Sequence, residues 1–384
     1  MAFTGKATYT AGTALPELAE DVSDLIGIIT PAETPLLDAL GDPLREATST
    51  HHEWLEDELL PNKDAINDSA WTNPAADTTF DVDNGGRFRN GDQIQVEGSE
   101  ELMLVTAVSG NTLTVFRGYA STTSENLADN QILNILGNAA LEGSDKPNAR
   151  FTSRVRCGNY TQIFTAAAEV SGSDMAASQL GLADEMDYLK QVRLRELVRD
   201  LESTVINGGK PAADPQGSGA VRRTMKGIMQ HIATHIFHTG DSGFPSGNDL
   251  DEAKINYVLR KIWENSSGNV DLIVVGGFQK RKVNAFCAET RSYGPNDTTF
   301  TDMVSLYESD FGVCRIVTTR HLPQDAVLFL DSSRISVLPL AGRSFHFKPL
   351  ASSGDYECGE LIGEYTLEFK NEAAHGVIRD LTTS

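Results

Sequence analysis

Three histidines stand at a spacing that could hold a metal ion. His231, His235 and His238 follow one another at intervals of four and three residues, and Asp241 comes soon after them. If residues 224–237 form a helix, as their pattern predicts, the imidazoles share one face and could bind Zn²⁺. The H-E-x-x-H pattern, which supplies the general base of a metalloprotease, is absent. The alternative is a histidine face packed inside the fold or between subunits. We favour this alternative and predict no metal site.

Other patterns of catalytic or cofactor-binding residues are missing from the sequence. The turn Val274-Val275-Gly276-Gly277 lacks the G-x-G-x-x-G and G-x-x-x-x-G-K-[ST] patterns of nucleotide-binding loops. No G-x-S-x-G pattern of a serine nucleophile is present. Four cysteines lie far apart without a C-x-x-C pair, which argues against a disulfide framework or a cysteine-zinc site; they are Cys157, Cys287, Cys314 and Cys358. We therefore predict no catalytic residue, no cofactor and no enzymatic activity.

The charge of the chain is strongly negative and unevenly distributed. The 384 residues carry a formal net charge of −22. Residues 1–150 hold 8 basic and 25 acidic side chains, whereas residues 151–384 hold 24 basic and 29 acidic ones. Specific binding of DNA or RNA depends on cationic side chains that release counterions from the phosphates. A chain this acidic is a poor candidate for that role.

The charge asymmetry suggests contacts between copies of the chain. The acidic N-terminal part could lie on less acidic surfaces of neighbouring copies, where basic residues would receive it. The candidate receiving residues are Arg222, Arg223, Lys226, Lys280, Arg281 and Lys282. A solvated acidic surface is the alternative explanation, and the sequence leaves both open.

Residues 183–206 are predicted to form the longest helix, against which the other elements must pack. Apolar residues recur there at steps of three and four; they are Met186, Leu189, Leu194, Leu197, Val198, Leu201 and Val205. On the opposite, polar face, Glu196 and Glu202 are each expected to pair with Arg199. The helix should end at Asn207-Gly208-Gly209, which tolerate left-handed backbone.

Two elements that precede this helix lack a core of their own. Residues 1–46 form a partly apolar arm, with a helical segment at 18–29 and two prolines that break it. Residues 47–60, with Trp54 near their centre, and residues 151–168 are predicted to be antiparallel strands of a long hairpin. An isolated hairpin is marginally stable in water. Both elements therefore need a partner surface.

A small all-β domain is predicted inside the hairpin. Residues 62–79 are polar and are expected to form a loop. Residues 80–137 contain short alternating segments punctuated by turns such as Ser109-Gly110-Asn111, which is typical of a small β-barrel or sandwich.

The C-terminal half is predicted to be mixed α and β. Asp249 with Glu252 resembles a capping box and should start a helix that continues to Asn265. Another helix should follow Gly277 and end near Glu289. The predicted strands are 271–275, 313–319, 326–330, 335–340 and 365–369. The sequence shows no signal peptide, no membrane-spanning apolar run and no internal repeat.

The order of these elements, together with several short sequence motifs, resembles a known family. The motifs are Ile29–Gly41 (ITPAETPLLDALG), Thr50–Trp54 (THHEW), Gly91–Ile94 (GDQI), Leu104–Val108 (LVTAV) and Leu113–Tyr119 (LTVFRGY). The chain resembles the major capsid proteins of tailed bacteriophages with the Hong Kong ninety-seven fold. Within them it is most similar to the branch of podoviruses with elongated heads and their prophage relatives.

The resemblance implies an α+β fold of the Hong Kong ninety-seven type, with an added all-β domain. The implied parts are an N-terminal arm (1–46), an extended hairpin loop (47–168) with an inserted β-domain (80–137), a peripheral domain (169–225) with the spine helix (183–206), an axial domain (226–340) and return strands of the peripheral domain (341–384). Trp54 and the basic residues Arg222, Arg223, Lys280, Arg281 and Lys282 are then the expected assembly contacts.

The implied function is structural. The chain would assemble into hexamers and pentamers of an icosahedral or elongated head that encloses double-stranded DNA, which it would contact only non-specifically. Expected partners are other copies, a portal and a decoration protein. Because no long charged helical leader precedes the arm, we expect a separate scaffolding protein. The protein would be part of the virion, be assembled in the host cytoplasm and contact no membrane.

Two other classes of function remain as alternatives. One is a metal-dependent hydrolase that uses the histidines of 231–238. The other is a surface-binding module in which the inserted β-domain acts as an adhesin. Stoichiometric bound zinc would favour the first alternative, and strictly monomeric behaviour would favour the second.

Overall fold

The chain divides into two compact units in a computed structural model. The structure describes residues 33–43, 45–146, 149–176, 185–289 and 306–383, without the side chains of 286–289. Leu55–Val155 form one unit, which we call the barrel unit. Met1–Trp54 and Arg156–Ser384 form the other, which we call the main unit.

The described part of the N-terminal arm contains one short helix, α1 (Pro35–Leu40). Pro35 suits the first helical position because no intrahelical partner is needed for its missing N–H. Gly41 ends the helix with φ of +74°, and its N–H donates to the Leu37 carbonyl at 2.9 Å. The predicted helical segment 18–29 lies outside the described residues. Strand β1 (His51–Glu56) follows the arm.

The barrel unit is a six-stranded antiparallel sheet. Its strands are β2 (Lys63–Ala65), β3 (Thr79–Asp81), β4 (Asp92–Val96), β5 (Leu102–Ser109), β6 (Thr112–Phe116) and β7 (Ile132–Asn138), in the order β2-β7-β4-β5-β6-β3. A bridge between Ile66 and Val82 joins the two edge strands, and such closure removes exposed edges. The prediction of a loop at 62–79 is wrong at β2, because a strand of three residues carries too little alternation to be recognised.

A buried ion pair fixes the loops of the barrel unit. The Arg117 guanidinium donates to both carboxylate oxygens of Glu101, at 2.7 and 2.8 Å. It also donates to the carbonyls of Pro74, Asp77 and Glu125. Burial alone raises the pKa of Glu101, but the hydrogen bonds from Arg117 and two backbone N–H groups outweigh it, so the pKa is below its usual value. This unit therefore has a complete interior of its own.

The returning half of the hairpin is split into two strands, β8 (Val155–Tyr160) and β9 (Gln162–Ser171). β8 pairs with β1, whereas β9 pairs with a long C-terminal strand, so the single strand predicted for 151–168 breaks at Thr161. The Thr161 N–H donates to the Thr50 carbonyl at 2.9 Å, and Arg156 lies 3.7 Å from Glu53. These two contacts give β1 and β8 the predicted antiparallel direction.

Two helices connect the hairpin to the C-terminal half, α2 (Gly172–Ala176) and α3 (Glu185–Asn207). The prediction of a long helix is correct, and its first two predicted residues lie outside the described chain. Its buried apolar side chains are Met186, Leu197, Leu201, Val205 and Ile206. No helix of the described chain combines the length and hydropathy that a membrane span requires.

The remaining elements form two sheets and three helices. The helices are α4 (Ile228–His231), α5 (Glu252–Asn265) and α6 (Gly277–Glu289). The strands are β10 (Ile236–His238), β11 (Leu272–Val275), β12 (Leu306–Ser309), β13 (Gly312–Thr318), β14 (Val327–Leu330), β15 (Ile335–Pro339), β16 (His346–Leu350), β17 (Tyr356–Phe369) and β18 (Gly376–Arg379). One sheet has the order β10-β18-β14-β11-β13-β12. In the other sheet, the long strand β17 pairs with β15, β16 and β9.

The six-stranded sheet of the main unit is buried on both faces. Leu272 and Val274 of β11 pack in the same core as Leu201 of α3. Ile273 and Val275 pack with the apolar face of α5. Because side chains alternate along a strand, β11 separates two apolar layers and shows a continuous run of buried residues.

Three predictions for this half need correction. The helix predicted for 224–237 is wrong outside α4, because 236–238 join the sheet as β10, parallel to β18. The cap of α5 is Asp251, which accepts from the Lys254 N–H at 2.9 Å, and Asp249 instead pairs with Lys282 at 3.2 Å.

The last strand, β17, begins at Tyr356 rather than at 365. Its first half contains Gly359 and Gly363, which weaken a strand pattern in sequence. Here the Phe347 and Phe345 rings lie over the two glycines, at positions where a Cβ atom would approach to 2.0 and 2.4 Å. The glycines therefore allow close packing within this sheet.

Candidate functional site

Strand β17 carries three buried polar side chains in a row. Glu364, Thr366 and Glu368 alternate along the strand, and each is at most 3% exposed. The opposite face of the strand, including Leu367 and Phe369, belongs to the apolar core. The polar face binds the hairpin where it enters the main unit. We call this region, residues 50–54 and 159–161 with the three β17 side chains, the hairpin foot.

Glu364 joins the hairpin foot to two arginines. Its carboxylate accepts from the Thr161 hydroxyl at 2.6 Å and from Arg223 at 2.6 Å, and it pairs with Arg343 at 2.8 Å. Arg223 also donates to the Thr161 carbonyl at 2.8 Å. A buried carboxylate needs such compensation, because losing a partner leaves an isolated charge inside the fold.

Glu368 provides a second ionic contact to the foot. Its carboxylate lies 2.7 Å from His52 Nε2 and 2.7 Å from Lys370 Nζ, and it also accepts from Arg45. Burial alone raises its pKa, but the hydrogen bonds from Lys370 and His52 outweigh burial and hold the pKa below its usual value. The strand thus binds both β1 and the segment that leads into it.

Asn159 completes the attachment from β8. Its amide is fully buried, and it donates to the carbonyls of Lys226 and Leu367, both at 2.9 Å. Its oxygen accepts from the Lys226 N–H at 2.9 Å. The Thr366 hydroxyl donates to the Tyr160 carbonyl at 3.1 Å. Buried polar groups that are all paired in this way fix one register.

The arm is attached separately, through Glu202 of α3. Its carboxylate accepts from the N–H groups of Leu36 and Leu37, at 3.1 and 3.3 Å, and from the Thr319 hydroxyl at 2.7 Å. Glu202 is fully buried, and burial raises its pKa despite these hydrogen bonds. The prediction that Glu202 is solvent-facing and pairs with Arg199 is wrong. Arg199 pairs with Asp200, and the tertiary contact with α1 determines the burial of Glu202.

A column of aromatic rings lies beside the ionic contacts of the foot. Trp54 is 8% exposed, with its ring centroid 6.4 Å from that of His231. His231 stacks on Phe369 at 5.1 Å, and Phe369 lies 4.2 Å from His375. Burial lowers the pKa of His231 to about 3 and that of His375 to about 4. Both imidazoles are therefore neutral near pH 7, and they pack as aromatic rings.

The three candidate metal ligands have separate surroundings. His231 belongs to the aromatic column. His235 stacks on Phe237 with centroids 6.1 Å apart. The exposed His238 lies on β10, with Nδ1 2.5 Å from Asp380. Because they do not share one helix, the premise of the zinc site is wrong. Within the described ranges no three His, Cys, Asp or Glu side chains are grouped for a metal.

The predicted assembly contacts are partly engaged within the chain. Arg223 binds Glu364 and Lys282 binds Asp249, whereas Arg222 and Arg281 are exposed. Lys280 is half-buried on α6. Trp54 is enclosed by its own chain at the hairpin foot.

Sequence reasoning missed Glu202, Asn159, Glu364 and Glu368 as functional side chains. The alternation Glu364-x-Thr366-x-Glu368 was a signal for one face of a strand, but polarity alone assigns that face to solvent. Their partners lie up to 323 residues away in the chain. No local pattern could show that these polar groups are buried.

The part of the hairpin beyond the foot has the opposite character. We call residues 55–60 and 149–155 the hairpin neck. Leu59 is 92% exposed and Phe151 is 87% exposed, and Leu55, Leu60 and Val155 are also exposed. Contacts between the two segments of the neck are between surface side chains, such as Thr152 with Asp57 at 2.8 Å. An apolar surface of this kind typically marks an interaction site.

The site's chemistry is that of attachment. Within the described residues, the buried carboxylates and histidines above each bind a neighbouring segment of the chain. Together they hold an arm and a hairpin on a stable base. That arrangement serves an assembly element better than it serves catalysis.

Comparisons with known proteins agree with this interpretation. A family model described as SU10 major capsid protein matches residues 3–382. No curated protein matches the sequence. Among solved structures, the capsid of an empty GTA particle computed with C5 symmetry is similar, with 10% identity, a TM-score of 0.52, and coverage of 98% of this chain and 100% of that one.

Two further structures show a weaker likeness. A chain of Microbacterium phage Oxtober96 has 16% identity and a TM-score of 0.44, and the match covers 63% of this chain and 80% of that one. The holo-SrpI encapsulin complex from Synechococcus elongatus has 8% identity and a TM-score of 0.44, and that match covers 61% of this chain and 79% of that one.

The predicted α+β fold of the Hong Kong ninety-seven type, the structural role and the capsid function are confirmed, and the hydrolase and adhesin alternatives have no support. The family match extends over nearly the whole chain, so it covers the arm, the hairpin and the main unit together. The chain therefore belongs to the SU10 major capsid protein family, as a structural, non-enzymatic bacteriophage protein that self-assembles into the capsid shell of the virion.

Proposed function

We propose that this protein forms hexamers and pentamers of an icosahedral or elongated head around double-stranded DNA. The parts are assigned as follows: the N-terminal arm is 1–46, the extended loop 47–168 with its inserted domain near 80–137, the peripheral domain 169–225 and 341–384, and the axial domain 226–340. The axial domain surrounds the capsomer centre. The extended loop overlaps adjacent subunits, and the arm runs beneath or beside them.

The observation that carries this proposal is the contrast along the hairpin. Its foot is rooted in the main unit through buried ionic contacts, but the neck beyond it exposes Leu59 and Phe151 almost completely. A rooted element with an uncovered apolar surface is suited to reach another subunit. Together with the arm, such contacts should exceed the roughly 1,000 Å² that a specific interface buries.

The residues proposed for assembly differ in how they act. Arg222 and Arg281 are exposed and can receive carboxylates of a neighbouring copy directly. Trp54, Arg223 and Lys282 hold the chain's own segments, so their contribution is to position the hairpin and α6. Lys280 lies between Arg281 and the turn that starts α6.

The proposed partners beyond the shell are a separate scaffolding protein, a portal and a decoration protein on the barrel unit. DNA is contacted only non-specifically, because a chain of net charge −22 has little cationic surface for phosphates. Assembly takes place in the host cytoplasm.

Negative-stain microscopy with mass photometry of the purified protein tests the proposal. We expect rings, sheets or closed shells built of hexamers. If the protein alone remains monomeric, the same measurement is repeated after co-expression with the scaffolding protein encoded by the same phage. Monomers under both conditions would contradict the proposal.

Deletion of the arm provides a second test. Removal of residues 1–46 should leave soluble subunits that cannot form closed shells, whereas removal of 1–32 keeps α1 and its contact with Glu202 and serves as the matched comparison. Normal particles from the longer deletion would refute the assigned role of the arm.

A further inference from the structure

Two lysines of the main unit are held next to each other where α3 ends. The Gly227 N–H donates to the Gly208 carbonyl at 2.8 Å, and the Thr224 hydroxyl donates to the Gly209 carbonyl at 2.6 Å. Gly227 packs so closely that a Cβ atom there would lie 2.6 Å from the Gly208 nitrogen. Lys210 directly follows Gly209, and Lys226 directly precedes Gly227. These contacts therefore bring the two lysines close together.

Both lysines are positioned by the hairpin and by α4. The buried Asn159 side chain binds the N–H and the carbonyl of Lys226, each at 2.9 Å. The Lys210 N–H donates to Gln230 at 3.1 Å, and Lys210 Nζ lies 6.0 Å from the Tyr160 ring centroid. The two positive charges therefore stand beside the hairpin foot on a fixed backbone.

The charge of this lysine pair is not compensated within the described chain. Among the described residues, the lysines that pair with a carboxylate within 4.0 Å are Lys190, Lys254, Lys261, Lys282 and Lys370, and neither Lys210 nor Lys226 is one of them. Glu372, which attracts Lys226, is already bound by the N–H groups of Ala233 and Thr234, at 2.9 and 3.0 Å. Burial and the neighbouring Lys210 lower the pKa of Lys226. Two like charges held together without a counter-charge favour binding of an anion.

We propose that Lys210 and Lys226 form a carboxylate-binding site for a second copy of this chain, and that the barrel unit of that copy supplies the acidic groups. Leu55–Val155 contain 16 acidic and 7 basic side chains, a net charge of −9. In a shell, other copies are the most abundant neighbours, and their barrel units are complementary in charge to the lysine pair. This inference rests on the proposed overlap of hairpins between subunits and names where one acidic surface docks.

The site shares Lys226 with the receiving residues predicted from sequence, whereas the predicted Arg223 and Lys282 pair with Glu364 and Asp249 of their own chain. Lys210 is not among the predicted residues. Its partner in the pair, Lys226, follows it by 16 residues, and only the contacts between Gly208–Gly209 and Thr224–Gly227 reveal their proximity.

Zero-length cross-linking of mixed particles tests the proposal. Unlabelled and ¹⁵N-labelled protein are mixed before assembly, and the purified DNA-free particles are treated with a carbodiimide, which joins amines to carboxylates in direct contact. Mass spectrometry should find Lys210 and Lys226 joined to carboxylates of 55–155 in peptides of mixed isotope composition. Cross-links only within one copy, or only to another segment, would overturn the assignment.

The outcome also separates this inference from the proposed function. Shells seen by microscopy without these cross-links would overturn the carboxylate site and leave the shell architecture standing. Failure to form shells at all would contradict the proposed function itself. Protection of the two lysines from acetylation only in DNA-filled particles would assign the site to phosphates and overturn the proposal.

Substitutions give an independent test. Lys210→Gln, at an exposed position, and Lys226→Gln should each slow assembly roughly tenfold at low salt, and the difference from wild type should shrink at high salt because screening weakens steering. Lys261→Gln is the matched control, since Lys261 is a surface lysine paired with Glu264 at 2.8 Å. Assembly of both test variants at the rate of the control would overturn the proposal.

Discussion

At the foot of the hairpin, polar side chains are buried and paired, whereas along its neck large apolar side chains face solvent. Glu364 and Glu368 are nearly inaccessible and each binds two or more cationic groups. The side chains of Leu59 and Phe151 are almost fully exposed to solvent. This is the reverse of the usual distribution of polar and apolar residues in a folded domain.

The contacts of the foot are complete within one subunit, whereas the apolar surface of the neck has little cover from the described part of its own chain. Buried ion pairs are costly to break but add little over apolar packing, so their value lies in specifying one geometry. The exposed apolar side chains of the neck contribute little to the stability of the isolated subunit. In the proposed assembly, the foot holds the base of the hairpin on the main unit and the neck supplies the surface that neighbouring copies cover.

The largest expected effect on subunit stability comes from breaking the foot at Glu364. Glu364→Ala leaves Arg223 and Arg343 without their buried partner, and should destabilise the main unit by about 3–5 kcal/mol. Differential scanning calorimetry should show this loss without a shift of the barrel unit's transition. Glu357→Gln, on an exposed position of the same strand, is the control. An equal unfolding free energy of the main unit in the two variants would show that Glu364 does not anchor the hairpin foot.

The next largest effect is expected at the aromatic column. Trp54→Ala removes a buried indole and should cost about 3 kcal/mol, loosen β8 in hydrogen exchange and weaken the particles. Trp263→Ala is a matched control, because Trp263 is 64% exposed on α5. Particles and β8 amides that are as stable as those of the control would contradict a role for Trp54 in docking the hairpin.

A smaller, graded effect is expected from pH. The folded pKa values of His231 and His375, about 3 and 4, lie below the usual 6.5, so the unfolded chain binds more protons between these values. Their contribution to stability is complete above pH 6.5 and is lost as pH falls. Glu202, whose pKa is raised, acts in the opposite direction above its usual 4.5. Urea midpoints should fall from pH 7 to pH 5; a flat or rising profile would show that the histidines are not buried as neutral rings.

The smallest effect on the subunit is expected in the neck. Phe151→Ser should change subunit stability by less than about 0.5 kcal/mol, since the ring has few partners to lose, yet it should impair shell formation. Leu133→Ser, at a fully buried position of the barrel unit, is the comparison and should unfold that unit. Normal shells from Phe151→Ser would contradict the proposed role of the neck in assembly.

Much of the framework was predictable from sequence, because it depends on local periodicity. Helices α3 and α5 and the buried strand β11 have strong patterns, and the hairpin with an inserted β segment followed from turn residues and alternation. Errors arose where a distant partner decides the structure. Residues 236–238 pair with the distant strand β18, and Glu202 is bound by α1 and by Thr319, which are both far from it in sequence.

The site was less predictable than the fold for the same reason. Alternating polar residues such as Glu364, Thr366 and Glu368 are typical of a strand face turned to solvent, and three histidines at helical spacing are compatible with a metal site. Contacts over 316 and 323 residues, from His52 and Arg45 to Glu368, turn that polar face into an anchor. No single segment carries a signal for them.

Hydroxyl-radical footprinting of isolated subunits and assembled particles tests the central claim most directly. The account predicts that Phe151 and Leu59 are strongly modified in subunits and protected in particles, while buried Trp54 is protected in both. Equal modification of Phe151 and Leu59 in subunits and particles would mean that no neighbouring copy covers the neck, and would contradict the account.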